Sequence, residues 1–264
     1  MAEFTKYPPN TFCWPELNST DAARVKPFYA GLFGWELRDD PIGPDQVYTM
    51  ALLHGKSVGA LYQMTEQQKG ERHVPSSWNQ YISVDEVQAR YDRAIELGAK
   101  GVIPPMDVLD IGRTAMLADP RGARFALWQP LKRIGAELAN EPGTFCWNEL
   151  YTDDVDASGA FYTKVFGWSA DSKDMGGGLV YTSFMNGERG AGGMMAIPKE
   201  WGDVPSHWNV YFAVDNFGDS LKKVEALGGV VRVPPKNMPE IGEFATVADP
   251  AGGAFGIIQL ANAV

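Results

Sequence analysis

Two short segments hold the residues best suited to chemistry: Trp14-Pro15-Glu16 within Thr11–Leu17, and Trp147-Asn148-Glu149 within Thr144–Leu150. On a strand, residues i and i+2 share a face. Trp14 and Glu16 therefore point one way and Cys13 and Pro15 the other, and the second segment repeats the arrangement with Trp147 and Glu149. A carboxylate against an indole has its charged form disfavoured, which raises its pKa toward the range used in general acid/base catalysis. The same pair also suits a packed strand in which the glutamate only accepts hydrogen bonds from its neighbours. Both readings stay open at this level.

Other reactive side chains are sparse. The three histidines, His54, His73 and His207, show no i, i+4 spacing of the kind that a helical zinc site needs. Two cysteines, Cys13 and Cys146, make neither a disulfide framework nor a four-thiolate zinc site, so a reducing setting is expected. The glycine runs Met175–Gly178 and Gly190–Gly193 lack the Gly-Lys-Ser/Thr of a phosphate loop.

The elements that must position these residues come from a duplication. Thr11-Phe12-Cys13-Trp14 with Glu16-Leu17 returns as Thr144-Phe145-Cys146-Trp147 with Glu149-Leu150, and Phe28-Tyr29 with Phe33-Gly34-Trp35 returns as Phe161-Tyr162 with Phe166-Gly167-Trp168, both at an offset of 133. Tyr48-Thr49 recurs as Tyr181-Thr182. Further on, Trp78-Asn79 with Tyr81 matches Trp208-Asn209 with Tyr211, and Asp119-Pro120 matches Asp249-Pro250, at an offset of 130. In each repeat a strand such as Phe12–Leu17 precedes a helix capped by Asp21 and stopped by Gly34. Three strands follow, and the order then repeats with a strand over Asn79–Val84 and a helix closed by Gly98. Asp119-Pro120-Arg121-Gly122 fits a type I turn. The reading is α+β: two tandem domains over 8–130 and 144–262, four βαβββ units in all. A linker over 131–143 joins them, and its middle, Ile134–Leu138, has the composition for one short helical turn.

At 264 residues the chain is long enough for two ordinary cores, and 45% hydrophobic with 21% charged residues is the balance of a folded protein. The formal charge of −10 argues against nucleic-acid and anionic-membrane surfaces and favours neutral or cationic ligands. No stretch reaches the about 18 apolar residues of a membrane span, and Met1–Pro9 lacks the apolar core of a signal peptide. A cytoplasmic protein is expected.

Four βαβββ units, with Phe-Tyr and a Phe-Gly ending each repeat's first helix and Asp-Pro-x-Gly before its last strand, resemble the vicinal oxygen chelate superfamily. That group contains glyoxalases, extradiol dioxygenases, fosfomycin-modifying enzymes and bleomycin-resistance proteins. The linker Ile134–Leu138 leading to Asn140-Glu141-Pro142-Gly143 is similar to tandem bacterial glyoxalase-like proteins often labelled hydroxylases, a label for which no flavin motif or iron triad can be assembled here. The resemblance implies open cupped mixed sheets. It puts the metal-ligand positions of metal-dependent members at Trp14 or Trp147, Ala60 or Gly193, Asn79 or Asn209, and Ala126 or Gly256. A slip in register moves Glu16 or Glu149 onto the first of these, and one carboxylate per cup still does not hold a catalytic divalent ion. No metal and no cofactor are therefore expected.

Because those positions face the cup, the resemblance places Trp14, Glu16 and Asn79 inside one cup, and Trp147, Glu149 and Asn209 inside the other. Trp78, Trp208 and His207 are expected to rim them. Eight tryptophans favour aromatic ligand walls. The leading expectation is a protein that binds or sequesters a planar or cationic small organic molecule without a metal. The first alternative is a metal-independent glyoxalase-like lyase or isomerase with Glu16 or Glu149 as the base, and the second is an interaction protein without a ligand. A monomer or weak dimer is expected, because four units would supply each other's strand edges.

Overall fold

The computed structural model describes residues 3–44, 46–66, 68 and 75–261, so His73 lies outside the described residues. The first repeat runs β1 (Thr11–Ser19), α1 (Ala22–Phe33), β2 (Glu36–Gly43), β3 (Gln46–Leu53) and β4 (Lys56–Gln63). It continues with β5 (Ser77–Ser83), α2 (Val87–Glu96), β6 (Lys100–Val108), β7 (Gly112–Ala118) and β8 (Arg124–Pro130). The second runs β9 (Phe145–Thr152), α3 (Val155–Phe166), β10 (Ser169–Asp174), β11 (Val180–Asn186), β12 (Arg189–Ala196) and a 3-10 turn at Lys199–Trp201. Its second half is β13 (His207–Ala213), α4 (Phe217–Ala226), β14 (Val230–Met238), β15 (Gly242–Ala248) and β16 (Ala254–Leu260). The four βαβββ units are all present.

Local chemistry sets the helix ends. Asp21 accepts from the Arg24 N–H and Asp154 from the Ala157 N–H at the starts of α1 and α3, and Gly34 and Gly167, at φ 73° and 70°, stop them. In each domain the opening strands of the two units pair antiparallel, β1 with β5 and β9 with β13. Each is flanked by a parallel partner: β4 beside β1, β8 beside β5, β12 beside β9 and β16 beside β13. This sheet curves around the cup, and the helices cover its other face.

The two domains are joined through the helix side. Tyr29 of α1 donates to Asp249 Oδ2 at 2.9 Å, and Tyr162 of α3 donates to Asp119 Oδ2 at 3.1 Å. Each aspartate belongs to the other domain's Asp-Pro turn and caps that turn's N–H groups with its second oxygen. Trp78 Nε1 and Trp208 Nε1 donate to the same tyrosine hydroxyls, at 3.1 and 2.8 Å. Trp78 and Trp208 therefore do not rim the cups. Neighbouring residues on a strand face opposite sides, so these indoles lie in the core beneath the sheet, where Trp78 meets Phe212 and Trp208 meets Phe12.

Two further expectations are corrected. Ile134–Leu138 forms no helical turn: Gly135 takes φ 117° with its backbone against Cys13, Ala136 donates to the Cys13 carbonyl, and Glu137 donates to that of Ser57. The linker is an extended strap bound to the open gap between the starts of β1 and β4. Nor are all strand edges satisfied internally, since β2, β6, β10 and β14 each pair with one strand only among the described residues. Among those residues no helix is long and apolar enough to cross a membrane.

Candidate functional site

The register brings Glu16 opposite both Ala60 and Asn79, and Glu149 opposite both Gly193 and Asn209. Each row is closed by a tyrosine cluster. Tyr48 donates to Glu16 Oε2 at 2.6 Å and Tyr81 to Oε1 at 2.8 Å, while Trp14 Nε1 lies 3.3 Å from the Tyr48 hydroxyl. In the second cup Trp147 Nε1 donates to Tyr181 Oη at 2.9 Å and Tyr211 donates to Glu149 Oε1 at 3.3 Å. The Tyr211 hydroxyl in turn meets that of Tyr151 at 3.0 Å. Burial raises the pKa of both glutamates above the ordinary carboxylate value, and the phenol hydrogen bonds oppose it in part. The two asparagines sit beside these carboxylates with Nδ2 buried and without a hydrogen-bond partner.

The expected site residues thus divide. Trp14, Glu16 and Asn79 gather in one cup, as do Trp147, Glu149 and Asn209 in the other, whereas Trp78 and Trp208 belong to the core. His207 stacks on Tyr151 at 5.4 Å and its Nδ1 lies 2.8 Å from the Pro205 carbonyl oxygen, so it flanks the second cup. Burial lowers its pKa. Cys146, expected on the opposite face, lines the second cavity. The ladder slips between Phe145 and Trp147, so Cys146 is the extra residue of a bulge and leaves the strict alternation. Desolvation pushes its thiol up to about 12, which makes it a poor nucleophile.

Sequence reasoning did not single out the tyrosines. Tyr48, Tyr81, Tyr181 and Tyr211 all recur at the two repeat offsets, which was the signal available. Nothing in the sequence marked Arg133, yet its guanidinium enters the first cup: Nη1 lies 2.9 Å from Met50 Sδ, and Cζ lies 6.0 Å from the centre of the Trp14 ring. The second cup instead opens into a cavity of about 550 Å³. Glu149, Tyr211, Trp147, Tyr181, Met175 and Trp201 are among the residues that line it.

These rows do not fit a divalent-metal centre. Each offers one carboxylate, an amide, and glycine or alanine at the remaining positions, and among the described residues no three His, Cys, Asp or Glu side chains are grouped for a metal. In the second cup the space itself is taken: a Cβ on Gly193 would fall 1.9 Å from Tyr181 Oη, and one on Gly256 would fall 2.1 Å from the Tyr211 ring. A ligating side chain at either place would collide with the phenols that hold Glu149.

Comparison with known proteins agrees with this architecture. Residues 144–257 match the Glyoxalase/Bleomycin resistance protein/Dioxygenase superfamily, and residues 16–128 match a glyoxalase-like domain. The chain is 39% identical over 260 residues, 98% of each sequence, to CFP32 of Mycobacterium tuberculosis, which carries a provisional glyoxylase name. The chain belongs to the vicinal oxygen chelate superfamily. It is also 32% identical over 267 residues to the anthracycline biosynthesis protein DnrV of Streptomyces peucetius, covering 97% of this chain and 95% of that one. Among solved structures, the Mn(II)-bound glyoxalase of Novosphingobium aromaticivorans superposes with a TM-score of 0.63 at 15% identity, covering 97% of this chain and 86% of that one. That likeness is one of fold. This superfamily member departs from metal-ligand chemistry at the rows described above.

Proposed function

We propose that this protein binds a small planar or cationic organic molecule in its second cup, without a metal, and acts by sequestering or sensing it. The supporting observation is the cavity of about 550 Å³ between Trp147, Tyr181 and Glu149, a size and lining suited to a drug-sized aromatic molecule. Indole and phenol rings supply stacking surface, and the phenol–carboxylate cluster supplies a few fixed polar contacts. The name of the 32% identical Streptomyces relative, an anthracycline biosynthesis protein, is consistent with a flat polycyclic ligand.

Proton transfer is the second reading, favoured by one observation. Glu149, with its pKa raised by burial, connects through Tyr211 to Tyr151, a continuous run of exchangeable protons along the cavity lining. Titration of indole fluorescence with an anthracycline and with small dicarbonyls separates the two. Sequestration predicts saturable quenching that Trp147→Phe reduces, with Glu149→Gln changing the affinity for a neutral ligand by less than about tenfold. Proton transfer predicts turnover of a dicarbonyl that Glu149→Gln lowers by about a hundredfold or more. Absence of both saturable quenching and turnover overturns the assignment of a ligand site.

A further inference from the structure

The two cups differ most in what the linker does to the first. Leu131, Lys132 and Arg133 all direct their N–H groups at the Ile111 carbonyl, Trp128 Nε1 donates to the Arg133 carbonyl at 2.8 Å, and the Glu137 carboxylate accepts from both the N–H and hydroxyl of Ser57 at 2.9 Å. The strap is thus fastened on both sides of Arg133. It carries the guanidinium between Met50 and Trp14, two residues on the inner face of the first cup. Burial records the consequence. Trp14 is 7% and Met50 1% exposed, whereas their counterparts in the second repeat, Trp147 and Ser183, are both partly exposed and line the open cavity. At the offset of 130 the residue answering to Arg133 is Ala263, which has no charge to offer.

We infer that Arg133 is the first cup's resident ligand, supplied by the chain itself, and that it marks the class of molecule the second cup takes from outside: a planar body bearing an amidinium, guanidinium or similar delocalised cation. The second cup repeats the receptor for such a group. Trp147 offers the same indole face as Trp14, Tyr181 hydrogen-bonds Glu149 as Tyr48 does Glu16, and Ser183, at the repeat position of Met50, lines the cavity. A serine hydroxyl can accept from a cationic N–H and is a better acceptor than a thioether. The charged side chains lining it are Glu149, Glu240 and Lys236, and the whole chain carries a formal charge of −10. A cation over a partly buried indole gains about tenfold in affinity. The inference rests on the second cup being a ligand site and names what that site prefers.

The test uses 2-naphthamidine as a cationic probe and 2-naphthamide as its uncharged isostere, titrated calorimetrically into the full chain. The wild type is expected to bind one equivalent of naphthamidine at least about tenfold more tightly than naphthamide. Trp147→Leu is expected to weaken that binding. Arg133→Ala, which empties the first cup, is expected to add a second equivalent, and adding Trp14→Leu to Arg133→Ala is expected to remove it. Circular dichroism and thermal unfolding report whether the variant folds, and Arg133→Gln, which keeps part of the stem and removes the charge, takes its place if the alanine variant does not. A stoichiometry that stays at one in a folded Arg133 variant overturns the inference. Equal binding of naphthamide and naphthamidine also overturns it while leaving the second cup a ligand site. If neither probe nor any neutral planar molecule binds, both readings fail.

Discussion

A carboxylate enclosed by aromatic rings is costly while it is charged, and Glu16 is in that position: it is 7% exposed, with Tyr48 and Tyr81 donating to it. Desolvation by burial is the largest cause of its raised pKa. A group whose folded pKa exceeds its unfolded one contributes stability that is complete below the unfolded value and lost as the pH rises through the folded value. Wild-type stability should therefore fall across that window, with a slope approaching about 1.4 kcal/mol per pH unit. Glu16→Gln removes this proton, so at about pH 8 the variant should melt higher than the wild type, and at about pH 4 the advantage should vanish. Thermal unfolding followed across pH checks it, and an advantage that persists unchanged in acid would contradict the assignment. At this scale the sequence disclosed the tryptophan, glutamate and asparagine of each cup, because strand alternation and an exact repeat put them in register. The phenols escaped notice because they arrive from distant strands, and Arg133 because a linker carries no periodicity to betray its direction.

Strand β12 shows how one atom sets the geometry of a cup. Gly193 leaves room for Tyr181 to sit 2.9 Å from Trp147 Nε1, while in the first cup Ala60 occupies the matching place and the Trp14–Tyr48 distance is 3.3 Å. Adding a methyl group at 193 would put Cβ 1.9 Å from Tyr181 Oη, so the Tyr181 ring must shift and its 2.9 Å contact with Trp147 Nε1 is disturbed. Gly193→Ala is therefore expected to unfold within about 1 kcal/mol of the wild type, because a side-chain end can move. Its affinity for a planar ligand in the second cup should fall several-fold, with a shifted Trp147 emission. A variant that binds as tightly as the wild type would show that the Tyr181 position does not shape the site. Most elements could be read from the sequence: Asp21, Gly34 and the Asp-Pro turns each act locally, and local signals survive in a sequence. The linker departs from the helical turn its composition suggests because its conformation is dictated by tertiary partners, the Cys13 and Ser57 carbonyls, which no local pattern reveals. Cys146 departs from the expected face for a related reason, since a bulge breaks the two-residue alternation of the strand.

At the scale of the whole molecule, the repeated Phe-Tyr and Asp-Pro landmarks serve one purpose. Tyr29 of the first domain is bonded to Asp249 of the second and Tyr162 of the second to Asp119 of the first, so each domain completes a turn of the other. Around these pairs Phe28, Phe33 and Trp35 pack on Phe255 and Phe212, and Phe125 packs on Phe161 and Phe166. With the proposed boundaries at 8–130, 131–143 and 144–262, either domain alone would present this aromatic surface to water. The full chain should accordingly unfold in a single transition. Tyr29→Phe leaves Trp78 Nε1 and Asp249 Oδ2 each without a partner in the core, a loss of about 1–3 kcal/mol for each orphaned group. At about 2–4 °C per kcal/mol for a chain near this size, the midpoint should drop by several degrees. Tyr162→Phe should lower the same transition by a comparable amount through Trp208 and Asp119. Differential scanning calorimetry distinguishes this from independent domains: two resolved transitions, with Tyr29→Phe shifting one and Tyr162→Phe the other, would mean that the interface does not hold the halves together. A shared transition moved by either change would mean that the duplicated halves have become one folding unit, with the strap that fills the first cup anchored to it.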